Sequence, residues 1–346
     1  MIYIPESKID STYKINIEKS NSAFSILISQ RKGQLPTDSP VEIHPYLSEL
    51  DLDNYDKYII GTFPPISYCY RKYNLELLTQ PNNTKINEPN LAWFHGNLGS
   101  MWDLFLSQEE LIYIYNQDID ELNRIEYLKN ILQTLKLNYS DIIYSTKRKL
   151  DNNKYTAEDS KLTNIILNNE LYKHIVSNKN VNRLLFNTSS VFGVEGLKIH
   201  QNKNKYGDIG KISLTSKITS FDLFFRGLQD LNIGISFSLD GKKWCKVEKN
   251  NAKELNKIFK TKLIFKVKLI LKQNFNELGN KEDIEKELFI ITPFSPAAVN
   301  RGMLLQNPIV ANWLGNSNPF NLLQKIYTSF IRFEKEDLDF LYSLNI

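Results

Sequence analysis

A glycine-containing loop at 93–105 collects residue types that can handle a nucleic-acid base. It carries His95 and Asn97 directly after the aromatic side chain of Phe94, and a Met-Trp pair follows. Aromatic faces stack on bases, and an amide reads a base edge through paired donors and acceptors. A histidine or an amide can also orient a water molecule for hydrolysis. The loop is therefore a candidate base-binding site, whereas the Met-Trp pair is expected to belong to the core.

Other polar or proline-rich segments follow short apolar runs. Gly-Thr-Phe-Pro-Pro at 61–65 combines a glycine, which allows close backbone approach, with two prolines that stiffen the loop. A rigid turn explains this segment equally well. Three consecutive cations at 147–149 suit phosphate contacts, although a solvated charge run is the ordinary alternative.

The elements that must position these loops form an alternating pattern. Helix-period segments at 109–137 and 159–176 separate apolar runs that we interpret as buried parallel strands. Strands alternating with helices predict a parallel sheet with helices on both faces and a ligand crevice beyond the carboxyl ends of the strands. The four predicted strands are 57–61, 141–145, 183–187 and 288–292.

The segment at about 194–287 breaks this alternation and is interpreted as an antiparallel β-rich insertion. A Leu-Asp-Gly-Lys sequence at 239–242 is a strong hairpin-turn signal. The strands predicted in the insertion are 211–215, 233–239 and 262–271. Residues 1–43 are interpreted as an N-terminal arm, and 44–346 as the main domain.

Composition narrows the functional classes. The chain has 346 residues, 42% of them hydrophobic and 24% charged, with a net charge of +4, which is compatible with a polyanionic partner. Cys69 and Cys245 are too few for a four-thiolate site, and four histidines without an HExxH motif give no metal signature. No apolar stretch is long enough for a membrane span, and the first residues lack a signal-peptide pattern. We expect a cytoplasmic monomer without cofactor or metal.

The ordered set of motifs resembles the uracil-DNA glycosylase superfamily. It consists of the 61–65 segment, the aromatic loop ending in Met-Trp, Asp-Ile-Ile with a following Lys-Arg, and Ser-Pro-Ala at 295–297. The likeness is nearest to the bacterial branch of mismatch-specific and hypoxanthine-type glycosylases, and His44-Pro45 resembles the lead-in of that branch. It covers about 44–193 and 287–345.

The resemblance implies a three-layer α/β/α fold with a four-stranded parallel sheet. It also implies an enzyme that flips a nucleotide out of duplex or single-stranded DNA and hydrolyses its N-glycosidic bond. The side chains expected to bind the base are Phe63, Tyr68, Phe94, Ser145 and Asn187. Those expected to face DNA are Pro64, Pro65, Lys147, Arg148, Ser295, Pro296, Asn300 and Arg301.

The choice of catalytic candidates follows from two positions at which this sequence departs from the uracil-specific members of the superfamily. Phe63 stands where uracil-specific members place an Asp or Asn, and Thr292 stands near the position of their His. The hypoxanthine-type branch takes an Asn from the aromatic loop, which by spacing from Trp102 falls at Gly99. Asn97 and His95 are therefore the catalytic candidates, with Asp103 as an alternative base.

These departures favour a substrate other than uracil alone. The expected targets are hypoxanthine, uracil or a bulky modified cytosine of phage DNA, in DNA repair or antiviral defence. One alternative is a catalytically inactive DNA- or nucleotide-binding protein on the same fold. Another is an unrelated nucleotide-binding enzyme, against which the lack of a GxGxxG or GxxxxGK[ST] loop argues.

Overall fold

A computed structural model describes about half of the chain, in several stretches. The described residues are 41–47, 54–65, 68, 90–94, 96, 101–148, 159, 162–187, 191–193, 217–231, 233–239, 242–246, 263–271, 284–293, 313 and 318–345. None of the helices in these stretches is long and apolar enough to cross a membrane.

The described stretches contain strands and helices in an α/β arrangement. The strands are β1 Val41–Ile43, β2 Lys57–Gly61, β3 Leu137–Asp141, β4 Ile143–Arg148, β5 Leu162–Leu167, β6 Arg183–Phe186, β7 Val191–Gly193, β8 Lys217–Thr219, β9 Ile233–Ser238, β10 Cys245–Lys246, β11 Ile264–Leu271 and β12 Ile284–Ile291. The helices are α1 Gln108–Tyr115, α2 Glu121–Thr134, α3 Asn169–Ser177, α4 Ser220–Asp230, α5 Pro319–Arg332 and α6 Lys335–Ser343, with a 3-10 turn at Trp102–Leu104.

A mixed seven-stranded sheet in the order β10-β9-β11-β12-β6-β2-β3 organises the chain. The pairings β12 with β6, β6 with β2 and β2 with β3 are all parallel. The strands predicted at 57–61, 183–187 and 288–292 are confirmed as β2, β6 and β12. The α/β class is confirmed with them.

The second parallel strand differs from the prediction. It is β3, which ends at Asp141, whereas 141–145 was predicted. β3 buries the polar side chains of Asn138 and Ser140, so it lacks the apolar run that marks the other strands. The apolar run beyond it leads into β4, the middle strand of a separate antiparallel sheet in the order β1-β4-β5.

Two helix predictions also need correction. The segment 109–137 is two helices, because Asp120 caps a new helix by accepting from the backbone N–H groups of Leu122 and Asn123. In the segment 159–176, only the second half is helical, as α3. Its first half is β5, a short apolar run whose periodicity cannot distinguish a strand from a helix.

The predicted insertion extends the sheet. β11 pairs antiparallel with both β12 and β9, and β9 pairs with β10 across the predicted hairpin, confirming strands in 233–239 and 262–271. The strand predicted at 211–215 lies outside the described residues, and the helix α4 was missed. The lysines of β11 form ion pairs with glutamates of β12, so this strand is not an unpaired basic face. The pairs are Lys266–Glu287, Lys268–Glu285 and Lys268–Glu287.

Both faces of the sheet are covered by hydrophobic side chains. On one face, Tyr58 and Ile60 of β2 pack in a cluster with residues of α3 and α4. On the other, Ile59 packs in a cluster with residues of α2, α5 and α6. Successive residues of a strand point to opposite faces, so a strand buried on both faces reads as a continuous apolar run.

Arg183 fastens α5 to the sheet. Its Nε donates to the carbonyl of Phe330 at 2.8 Å and its Nη2 to that of Ile331 at 3.0 Å. These carbonyls belong to the last turn of α5, where backbone acceptors lack helical partners. The guanidinium also lies 4.7 Å from the ring centroid of Phe333, the left-handed residue that ends the helix. A cation from β6 thus completes the helix terminus.

We expect Arg183→Met to lower the free energy of unfolding by about 2–4 kcal/mol, because one buried and one partly buried carbonyl lose charged donors. Urea denaturation of the purified protein measures this change. Lys173→Met is the matched control, since Lys173 pairs with Glu170 on an exposed face of α3. The control should change stability by less than about 0.5 kcal/mol. Equal losses in the two variants would contradict the anchoring role.

Candidate functional site

The strand order places a topological switch point at β2. The chain passes from β2 to β3 on one side, and β6 then lies on the other side of β2. Ligands of open α/β sheets bind beyond the carboxyl strand ends at such a point. The 61–65 loop leaves β2 here, and the backbone N–H of Asn187 donates to the carbonyl of Ile60 at 3.1 Å. Two of the predicted segments therefore meet at this edge.

A buried polar network centres on Asp141, the last residue of β3. Its Oδ2 lies 2.8 Å from Nε2 of His44, and its Oδ1 accepts from the hydroxyl of Tyr139 at 2.8 Å. All three side chains are almost fully buried. Burial, and secondly the negative charge of Asp141, raise the pKa of the Tyr139 hydroxyl, while a hydrogen bond with Asn187 opposes that rise. Tyr139 therefore stays protonated and serves as a donor.

The hydrogen bonds of His44 define its tautomer. Its Nδ1 accepts from the backbone N–H of Tyr46 at 3.2 Å, so the ring proton resides on Nε2. His44 is consequently a neutral donor to Asp141. Its ring lies in an aromatic surround, 5.6 Å from the centroid of Phe63 and 5.4 Å from that of Phe94.

Gly61 is required by this network. A Cβ at this position would lie 1.7 Å from Oη of Tyr139 and 2.1 Å from Oδ1 of Asp141. Such distances are far inside van der Waals contact, and both opposing atoms are fixed by hydrogen bonds. The glycine of the 61–65 segment therefore serves close packing of β2 against the Asp141 network.

The aromatic loop is described at residues 90–94 and at Gly96. The backbone N–H of Leu91 donates to the carbonyl of Gly96 at 2.8 Å and closes a tight turn. A Cβ on Gly96 would lie 2.0 Å from the carbonyl oxygen of Leu91, so only glycine fits there. Phe94 within this turn has a φ of 42°, which is unusual for a bulky side chain. Its ring lies 4.6 Å from the centroid of Tyr139, which places the turn against the end of β3.

The side chains expected to bind a base are buried. Phe63, Tyr68 and Phe94 expose 6%, 1% and 2% of their surface, so none presents an open stacking face in this structure. Burial raises the pKa of the Tyr68 hydroxyl, against a hydrogen bond with the backbone of Gly96. Ser145 is also buried and lies in β4, opposite Ile43 of β1. Asn187 donates to Sδ of Met101 at 3.4 Å, beside the network.

Arg148 does not fit the predicted phosphate contact. Its side chain is almost fully buried, and its Nε donates to both carboxylate oxygens of Glu42 at 3.0 and 2.8 Å. Its Nη2 donates to the carbonyl of Pro64 at 2.8 Å. Arg148 therefore has a structural role, because its hydrogen bonds connect the 61–65 loop to β1 and β4. The neighbouring Lys147 and Pro65 are only partly buried.

Other predicted site residues lie outside the described part of the chain. They are His95, Asn97, Ser295, Pro296, Asn300 and Arg301. Asp103, the alternative base, is described, and it accepts from the hydroxyl of Tyr115 at 2.9 Å. Among the described residues, no group of three or more His, Cys, Asp or Glu side chains could hold a metal ion.

Sequence reasoning missed the roles of Asp141, Tyr139 and Glu42. Asp141 and His44 were noted only as parts of motifs, and the alternation of β3 gave no apolar run to mark it. The sequence did contain one signal. Gly61 ends an apolar strand, and a glycine in a strand often marks a place where another part of the protein packs closely against the backbone.

The comparisons with known proteins add no relative. No family model, no curated protein and no solved structure matches this chain.

We expect Gly61→Ala to lower the free energy of unfolding by more than about 3 kcal/mol, because the added methyl overlaps Tyr139 and Asp141. Gly234→Ala in β9 is the matched control, since its Cβ would come no closer than 3.3 Å to Ile270. The control should stay within about 1 kcal/mol of wild type. Urea denaturation measures both variants, and equal stability of the two would refute the packing argument.

The Glu42–Arg148 pair yields a double-mutant test. Arg148→Met should cost about 3–5 kcal/mol of unfolding free energy, because Glu42 is left as a buried, unpaired charge. Replacing both residues by Met removes that charge and should restore a large part of the loss. Thermal or urea unfolding of the single and double variants measures the difference. A double variant less stable than R148M would contradict this account.

Proposed function

We propose that this protein is a DNA glycosylase that hydrolyses the N-glycosidic bond of a flipped-out damaged or modified base. The observation that carries the proposal is the position of the aromatic turn. Phe94 packs between His44 and Tyr139 at the carboxyl edge of the sheet, beside the 61–65 loop. This position supports the proposal, because the resemblance implies that Phe94 lines a base pocket at the strand ends.

Two features of the arrangement support a hydrolytic site. The candidate residue His95 is flanked by Phe94 and Gly96, which both belong to the anchored turn, and Asn97 follows directly. The 61–65 loop is fixed at both ends, by the fit of Gly61 and by the hydrogen bond from Arg148 to Pro64. A loop that is fixed at two points offers a preorganised wall to the proposed site, and preorganisation lowers the entropy cost of catalysis.

In the proposed reaction the bond between C1′ of the sugar and the base nitrogen breaks. The electron pair leaves with the base, and the sugar acquires oxocarbenium character. A water oxygen bonds to C1′, and its proton goes to the base or to solvent, so the products are free base and an abasic site. Asn97 or His95 orients the water. Lys147, Pro65, Ser295, Pro296, Asn300 and Arg301 are the proposed DNA contacts.

The substrate is proposed to be hypoxanthine, uracil or a bulky modified cytosine, in DNA repair or antiviral defence. Duplexes containing uracil, hypoxanthine, hydroxymethylcytosine or glucosylated hydroxymethylcytosine are incubated with the full chain, and abasic sites are then cleaved with alkali. Strand breaks are expected with at least one duplex. Asn97→Ala or His95→Ala should slow single-turnover base release by about 10²–10⁴-fold.

Lys173→Ala is the matched control, because Lys173 is an exposed residue of α3 on the opposite side of the sheet, and it should leave the rate unchanged. Duplex binding without an abasic site from any substrate would instead support the inactive binding protein. Absence of both binding and cleavage would reject a DNA function altogether.

A further inference from the structure

We infer that Asp141 is a fixed buried anion that stabilises the positively charged sugar in the transition state. The inference rests on the proposed glycosylase function and assigns the electrostatic part of that reaction. It follows from the hydrogen bonds that make Asp141 an anion, from the absence of a Lys or Arg ion-pair partner among the described residues, and from its position at the end of β3.

Both hydrogen bonds to Asp141 identify it as a carboxylate. The neutral His44 can only donate through Nε2, because its Nδ1 already accepts from the backbone of Tyr46. The protonated Tyr139 hydroxyl donates to the other oxygen. A protonated Asp141 would direct its own proton at one of these donors, so the geometry fits the anion alone.

Positive charge does not neutralise this anion within the described part of the chain. The ion pairs there give Asp141 no lysine or arginine partner, and its only basic neighbour in them is the neutral His44. Arg148, which follows Asp141 by seven residues, forms its ion pair with Glu42. Asp141 is 2% exposed, so water screens its field poorly. Within the described stretches, hydrogen-bond donors rather than a Lys or Arg side chain therefore hold this charge.

The position of Asp141 matches the proposed reaction. It pairs in register with Gly61, and its Oδ1 lies 2.1 Å from the position that a Cβ of Gly61 would take. The carboxylate thus borders the first residue of the 61–65 loop, which itself contributes no charged side chain. A fixed carboxylate at the site where an oxocarbenium ion develops lowers the barrier without reorganisation.

Two abasic-site analogues of the same shape test the inference. One duplex carries a cationic pyrrolidine in place of the sugar, and the other a neutral tetrahydrofuran. Wild type should bind the pyrrolidine duplex at least about 10-fold more tightly, because the cation meets the buried anion. A wild-type preference below about threefold would overturn the inference without any variant.

Asp141→Asn keeps the side-chain shape and removes the charge. It should abolish the preference for pyrrolidine and slow single-turnover base release by about 10²-fold. Tyr139→Phe removes one hydrogen bond and keeps the charge, so it should retain the preference even where stability falls. Glu285→Gln removes one negative charge from the exposed side of β12 and should change neither quantity.

The outcomes separate the inference from the proposed function. Base release by wild type with equal binding of both analogues rejects the role of Asp141 and leaves the glycosylase intact. Equal loss of the preference in D141N and Y139F also rejects it, because the network would then be only structural. If wild type releases no base from any duplex and binds neither analogue, the proposed function fails.

Discussion

The hydrogen bonds to the buried carboxylate of Asp141 are the constraint on which the site depends. They join His44, which follows β1, to Tyr139 and Asp141 at the end of β3. They also require a glycine at 61, because a Cβ there would overlap the acceptor oxygen of Asp141 and the donor hydroxyl of Tyr139. Three separate stretches of sequence are thereby fixed at one edge of the sheet. The candidate site is assembled around a charge whose burial costs several kcal/mol unless donors hold it.

A buried charge pair complements this network near the other end of the 61–65 loop. Arg148 holds the carbonyl of Pro64 while Glu42 neutralises its guanidinium. The loop is consequently held at Gly61 by close packing and at Pro64 by the hydrogen bond from the Arg148 guanidinium. Loops held at both ends are preorganised, and a preorganised site aims its dipoles before the substrate arrives. The antiparallel sheet of β1, β4 and β5 is therefore part of the machinery that positions the loop.

Sequence reasoning reached the sheet more readily than the network. β2 and β6 are buried on both faces, and β12 ends in an apolar run at 288–291, so these three strands were recognisable. The hairpin turn marked the insertion. β3 was misplaced by several residues because Asn138 and Ser140 are buried as polar side chains. The role of Arg148 was equally hidden, because its partner Glu42 lies 106 residues earlier in the sequence and Arg148 itself stands in a run of three cations. Long-range pairing of buried charges leaves no local pattern, and only the assembled fold shows it.

The burial of the aromatic side chains places one demand on the proposed mechanism. The ring of Phe94 is covered by His44, Tyr46, Trp93 and Tyr139, so a base that stacks on it must displace at least one neighbour. The backbone of Phe94 is held at a φ of 42°, a conformation that costs about 1–2 kcal/mol for a bulky residue. Release of that strain offsets part of the energy needed to open the turn. The Asp141 network beneath it has no such strain and is held by its own hydrogen bonds, so opening would uncover a charge that is already in place.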